Sequence, residues 1–311
     1  MQAQDLATAL ATALVGKTDL YAAIRQALSG RGITPELAPA VLASAMDHLA
    51  GGDAAARETA ERLRSADQGL LAAIARAGAG GAAISQAPAL RAALANAEVA
   101  PLFRPDIAGA RHMALLTRGE MPDMPAYSDR AFDVWFTAQG VDYGLGPYGE
   151  KRTVYTAAQF ADAASPERRM VHLGIDVFAP AGTALYAPLP GTVEHVTYNA
   201  DPLDYGHTLI LRHDLGGITF HTLYGHLAGT LPGLCRVGQQ VAAGQHIADL
   251  GDWHENGGWA AHVHFQIMSD MLDQTGGNFF GVGHESLWDV WSDICPDPNL
   301  ILRLPPSAFT R

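Results

Sequence analysis

Two short histidine motifs, ninety residues apart, set the strongest constraint on how this chain can fold: His172-Leu-Gly-Ile-Asp176 and His262-Val-His264-Phe-Gln-Ile. Imidazole and carboxylate groups are what a catalytic zinc ion takes from a protein when it holds three side chains and leaves its fourth position to water. Both motifs sit in stretches that read as β-strands, where side chains two or four residues apart point to one face. His262 and His264 therefore face one way together, and so do His172 and Asp176 if that segment is extended. Two adjacent strands carrying the motifs would close three ligands on one ion and leave one histidine over.

The surrounding sequence changes texture part-way along. At 311 residues the chain is long enough for two domains. Residues 1–118 are rich in Ala and Leu and nearly neutral, with 11 Lys+Arg against 10 Asp+Glu, whereas residues 119–311 carry 9 against 22. That acidic second half argues against nucleic acid or an anionic membrane surface as its partner. No apolar run approaches the roughly 18 residues needed to cross a bilayer, so no membrane span is expected. Met1 to Lys17 has neither a basic n-region nor a long apolar core. The expectation is a cytoplasmic protein, or a periplasmic or extracellular one if a leader has been removed. Cys235 and Cys295 have no CxxC spacing and are expected to be reduced structural residues.

The first hundred residues show helical periodicity. Leu20, Ile24 and Leu28 repeat every four residues, after Thr18 as a candidate N-cap and before Gly30 as a stop. Thr34-Pro35 reads as an N-cap followed by proline at the first helical position, with Leu37, Val41, Leu42, Met46 and Leu49 marking one face. Further helices are expected near 54–65, 67–77 and 88–97, giving a small antiparallel bundle. Between 101 and 169 the pattern is irregular and proline-punctuated, with Phe132, Trp135 and Phe136 as aromatic anchors. From Val171 onward short β-branched runs predict strands at 172–178, 184–187, 191–198, 207–213, 218–225, 246–250 and 261–268, the texture of a β-sandwich or barrel. The fold class expected is thus α+β: a helical domain over 1–118, a linker and entry segment over 119–170, and a β-rich domain with a C-terminal extension over 171–311.

The order of motifs carries a resemblance. His172-Leu-Gly-Ile-Asp176, Ala-Pro-Ala-Gly-Thr183, Ala187-Pro-Leu-Pro-Gly191-Thr-Val, Tyr224-Gly-His226-Leu, Val237-Gly-Gln, Gly244-Gln-His-Ile-Ala and His262-Val-His264-Phe-Gln-Ile follow one another over residues 171–270. This series resembles the M23 (LytM/lysostaphin-type) zinc metallopeptidases. The resemblance implies an antiparallel β-sandwich of the LytM, duplicated-hybrid-motif type carrying one zinc ion, with peptidoglycan cross-bridges or related peptide or amide bonds as substrate. It implies His172, Asp176 and His264 as zinc ligands and His226 and His262 as the catalytic pair. The loop Gly251-Asp-Trp-His-Glu-Asn-Gly-Gly-Trp259 is bulkier than that family's usual Ser/Thr/Gly-rich loop, and Trp253 and Trp259 are expected to narrow the cleft.

Elementary chemistry agrees with such a site. Zinc lowers the pKa of water from about 15.7 to near 7, and a histidine of intrinsic pKa near 6.5 can take the proton and return it to a leaving amine. Two other readings compete. A non-catalytic LytM-like binding or regulatory domain would bind no metal. A phosphocarrier of the glucose-permease IIA type shares the H-x-G-I-D string but pairs its histidine with one upstream, and no histidine lies between His112 and His172. His195, His207, His213, His221, His246, His254 and His284 are expected to be structural. His221, five residues before His226 on one strand, faces the other way.

Overall fold

The apolar stripes of the first hundred residues become six helices in the computed structural model, which describes residues 3–117, 121, 123–152 and 160–310. They are α1 (Ala3–Leu14), α2 (Leu20–Leu28), α3 (Ala38–Ala50), α4 (Ala54–Ser65), α5 (Gln68–Gly78) and α6 (Ala87–Asn96). Aspartates rather than threonine start three of them. Asp19, Asp53 and Asp67 each accept the backbone N–H three residues on, at 3.0, 2.9 and 2.8 Å, satisfying a donor the helix cannot. The stripe Leu20, Ile24 and Leu28 is buried as its spacing requires.

After α6 the chain alternates short elements: β1 (His112–Ala114), α7 (Ala131–Ala138), β2 (Tyr143–Gly146), β3 (Val171–His172), β4 (Ile175–Phe178), β5 (Ala184–Tyr186), β6 (Gly191–Asn199), β7 (Gly206–Leu215), β8 (Ile218–Leu227), α8 (Leu231–Leu234), β9 (Gln240–Val241), β10 (His246–Asp249), β11 (His262–Met268), β12 (Val282–Gly283), α9 (Trp288–Ile294) and α10 (Asn299–Leu302). Eight strands form one sheet in the order β1-β2-β4-β11-β8-β7-β6-β9, and β10-β5 and β12-β3 form two-stranded sheets. All pairs are antiparallel except β1 with β2.

Strand alternation sorts the core. On β11, Val263, Phe265 and Ile267 join Leu209, Leu211 and Tyr224 in one cluster with Leu185 and Ile247 of the small sheet. Met268, Ile210 and Leu223 point the other way, into a cluster continuous with the helices. His262, His264 and Gln266 share the phase of Met268, so the candidate site lies on the helix-facing side of the sheet.

Three expectations need correction. The segment assigned as a linker over 119–170 supplies α7 and, through β2, a strand of the main sheet; Tyr143 and Leu145 are buried there. The proline punctuation hid a four-residue strand, too short to show periodicity. The helical stretch does not act as one unit to residue 118, since Leu90 and Leu94 of α6 pack in the sheet's other cluster and His112 already pairs with Tyr143. The expected continuous strand 172–178 is broken at Leu173-Gly174, with His172 on β3 and Asp176 on β4.

Candidate metal centre

His172, Asp176 and His264 meet despite that break. His172 Nε2 lies 3.0 Å from His264 Nδ1 and 3.2 Å from Asp176 Oδ1, and His264 Nδ1 lies 3.1 Å from the same oxygen. The register explains the second and third members: His264 pairs across from Asp176 on β4 and from Gly225 on β8. Gly174 makes room for the meeting, because a Cβ there would lie 2.6 Å from the His264 ring.

The hydrogen-bond partners settle which ring nitrogens carry protons. His172 Nδ1–H donates to the Pro147 carbonyl at 2.9 Å, which leaves Nε2 a bare lone pair. Gln266 donates its amide N–H to Phe280 O at 3.0 Å, so its Oε1 faces His264 Nε2–H at 2.7 Å. His264 Nδ1 is then a bare lone pair as well. Two imidazole lone pairs and a carboxylate oxygen thus converge at 3.0–3.2 Å with no proton between them. That is repulsive unless a cation sits among them. Ligands about 2.0–2.1 Å from a tetrahedral ion stand about 3.3 Å apart, close to the observed edges. The donor set fits a divalent cation of borderline softness, and the outward N–H groups are held as metal-bound imidazoles usually are.

Charges behind the triangle fix its state. Asp176 Oδ2 accepts from Arg152 at 2.6 Å, and Arg152 also pairs with Glu150 at 2.9 Å, all with side chains 3% exposed. Burial alone would raise the Asp176 carboxyl, but the Arg152 guanidinium beside it opposes that, and the group is held well below its ordinary value. Burial and then Arg152 push His172 down to about 4, so its ring is neutral and free to ligate.

Beside the triangle stand two further histidines. His262 Nδ1–H donates to Ala260 O at 2.7 Å and its Nε2 lies 3.9 Å from Asp176 Oδ1. His226 Nδ1–H donates to Asn256 O at 2.8 Å, and the two ring centroids are 4.3 Å apart. Burial depresses both below the ordinary histidine range, His226 further because the neighbouring His262 adds to it. His226 has φ +63, a left-handed conformation that non-glycine residues avoid. Its N–H donates to Tyr205 O at 2.7 Å and its carbonyl accepts from Gly251 at 3.0 Å, which hold it there.

Four of the five predicted residues, Asp176, His226, His262 and His264, line one cavity of about 300 Å³, and His172 joins Asp176 and His264 in the ligand triangle. Trp259 walls that cavity, but Trp253 does not: its indole N–H donates to Asp133 on α7 at 2.7 Å. Tyr224 is a core residue, its hydroxyl accepting from Thr222. His221 pairs across from Met268 and so takes the same sheet face as His264, not the opposite one expected, but it sits four strand positions along from the site. His213 is buried between Pro190 O and Thr222 Oγ1. Cys235 and Cys295 are both free and sit in different clusters. Sequence reading missed Glu150, Arg152, Asn256 and Gln266. Gln266 was within reach, two residues past His264 on the same strand face. The other three lie in irregular segments without periodicity.

The matching family covers this region. Residues 170–275 match peptidase family M23. The chain is 36% identical over 142 residues to an "Uncharacterized metalloprotease" of Haemophilus influenzae, an overlap of 43% of this chain and 27% of that protein. The chain thus spans about a quarter of that relative's length. Among solved structures, a zinc-containing peptidase from Vibrio cholerae is similar at 26% identity and TM-score 0.27, covering 39% of this chain and 35% of that one. The catalytic domain of lysostaphin from Staphylococcus simulans is similar at 21% identity and TM-score 0.31, covering 50% and 96%.

Proposed function

We propose that the M23 segment is a zinc metallopeptidase in which His172, Asp176 and His264 hold the ion and His226 and His262 move protons. The observation that carries this reading is the convergence of three bare acceptor atoms at 3.0–3.2 Å beside two neutral imidazoles. Zinc bound there supplies a Lewis acid that polarises a carbonyl and brings the pKa of water near 7.

The chain's own groups do the rest. Burial keeps His226 and His262 neutral, and the carbonyls at Asn256 and Ala260 take their Nδ1 protons, so each ring presents Nε2 as an acceptor. One of them takes the proton of the attacking water. That ring, now a cation, stabilises the developing oxyanion and then protonates the departing amine. Arg152 keeps the Asp176 carboxylate ionised throughout. The reading extends to peptide or related amide substrates, with peptidoglycan cross-bridge fragments the first class to try.

The test is hydrolysis of a peptide and peptidoglycan-fragment panel by zinc-loaded protein, beside His226→Ala and His262→Ala. Loss of about 10²–10⁴ in rate with zinc retained supports the proton-transfer roles. A parent protein that binds no zinc and cleaves nothing would favour a LytM-like binding module instead.

A further inference from the structure

Two walls of the metal cavity do not belong to the histidine-bearing strands. One is the stretch 160–169, which contributes Phe160 and Arg169; the other, 274–282, contributes Gln274, Phe279 and Phe280. The walls touch, with the Arg169 guanidinium over the Phe280 ring at 5.0 Å from its centroid. The space they close, about 300 Å³, is at the low end of pockets that take a small ligand.

Both walls are tied from behind to the helices. Tyr21 on α2, 1% exposed, donates its hydroxyl to Asp162 Oδ2 at 2.6 Å, and the same oxygen lies 3.6 Å from Arg169. The Leu20 N–H reaches Ala164 O at 2.8 Å, and Arg62 of α4 reaches Ala163 O at 2.9 Å. At the second wall Asp67 divides its oxygens. Oδ1 caps α5, while Oδ2 accepts from Gln274 Nε2 at 2.8 Å. The Gln68 N–H donates to Asp273 Oδ2 at 2.9 Å, and a Cβ on Gly69 would lie 2.7 Å from the Leu272 Cα. Helices that docked only to cover apolar sheet would need none of these polar ties.

We infer that the helices brace the metal pocket: Tyr21 and Asp67 are positioning residues that hold both walls closed and restrict the substrate to a short peptide stretch. The substrate class rests on the metallopeptidase reading; the brace itself does not. Walls ordered in advance spare the substrate the entropy of ordering them, so loosening them raises KM. The reacting atoms are untouched, so kcat holds.

Tyr21→Phe keeps the ring and removes the donor. Asp67→Asn keeps the oxygen that caps α5 and turns an amide N–H toward the two groups that donate to Oδ2, the Gln274 side chain and the Asp273 backbone N–H at 3.4 Å. The full-length zinc-loaded parent, the double variant and an Arg25→Ala control are compared. Arg25 also ties the helices to the C-terminal part of the chain, through Asp289 at 2.6 Å and Ser286 O at 3.3 Å, partners that lie outside both walls. Hydrogen exchange is read over 160–170 and 271–282, with zinc content and kinetics on quenched peptides of graded length. The double variant is expected to exchange about tenfold faster in both walls at unchanged zinc content. It should also show raised KM for the shortest peptides and weaker discrimination against long ones, with Arg25→Ala like the parent. Unchanged wall exchange in the double variant, or equal change in Arg25→Ala, overturns the inference. A parent that cleaves no peptide would sink the metallopeptidase reading while the exchange comparison still decides the brace.

Discussion

Replacing Gln266 by Leu tests how the structure prepares His264 for an ion. Gln266 is fully buried, accepts from His264 Nε2–H at 2.7 Å and donates to Phe280 O and to Cys295 Sγ. Leu fills similar space without an acceptor, so nothing holds the proton on Nε2 and the lone pair on Nδ1. Removing such an outer partner weakens metal affinity about 10–100-fold, or about 1.4–2.7 kcal/mol. The metal-free protein also loses about 1–3 kcal/mol for each buried polar group left without its partner. Gln266→Glu keeps an acceptor but loses both donations, so its zinc affinity should recover toward the parent while part of the stability loss remains. Competition against a chromophoric chelator gives the zinc Kd, and urea unfolding of metal-free protein gives the stability. A Leu variant that is destabilised yet binds zinc within about twofold of the parent would refute the reasoning.

Three other outcomes follow from the same geometry. Gly174→Ala places a Cβ 2.6 Å from the His264 ring and should abolish tight zinc binding, read by metal content after dialysis. Arg152→Met strands two buried carboxylates, Glu150 and Asp176, and should cost about 3–5 kcal/mol in urea unfolding, more without zinc than with it. Burial holds His213 at about 4 in the folded protein against an ordinary 6.5. The unfolded chain therefore takes up a proton below about pH 6.5 that the folded one refuses, so this stability is whole above pH 6.5 and lost as pH falls toward 4. The full loss is about 3 kcal/mol, of which about 2 is gone by pH 5. Urea midpoints of parent and His213→Gln between pH 7 and 5 should diverge accordingly; parallel slopes would contradict it.

Periodicity made most elements legible because it reports burial directly: Leu20, Ile24 and Leu28 gave α2, and the β-branched runs gave β6, β7, β8 and β11. It failed where an element is too short to alternate, as at β2, or where context overrides it, as at Gly174, which splits the expected strand. His172 and Asp176 still converge, because β3 and β4 are set against β12 and β11 by pairing that no local pattern encodes. The five histidine and aspartate positions were readable from type, spacing and order. Arg152 was not, since its partners Glu150 and Asp176 are neighbours only through the pairing of β2 with β4 and the chain that follows it. The position of His226 needed a left-handed backbone held by Tyr205 and Gly251, which a single sequence does not announce.

The central claim is that three bare acceptor atoms await one cation. Elemental analysis of protein purified without chelator, beside His264→Ala, tests it most directly. The account predicts about one zinc per chain in the parent and almost none in the variant. No bound metal in the parent even after zinc is supplied, or the same content in both proteins, would contradict it.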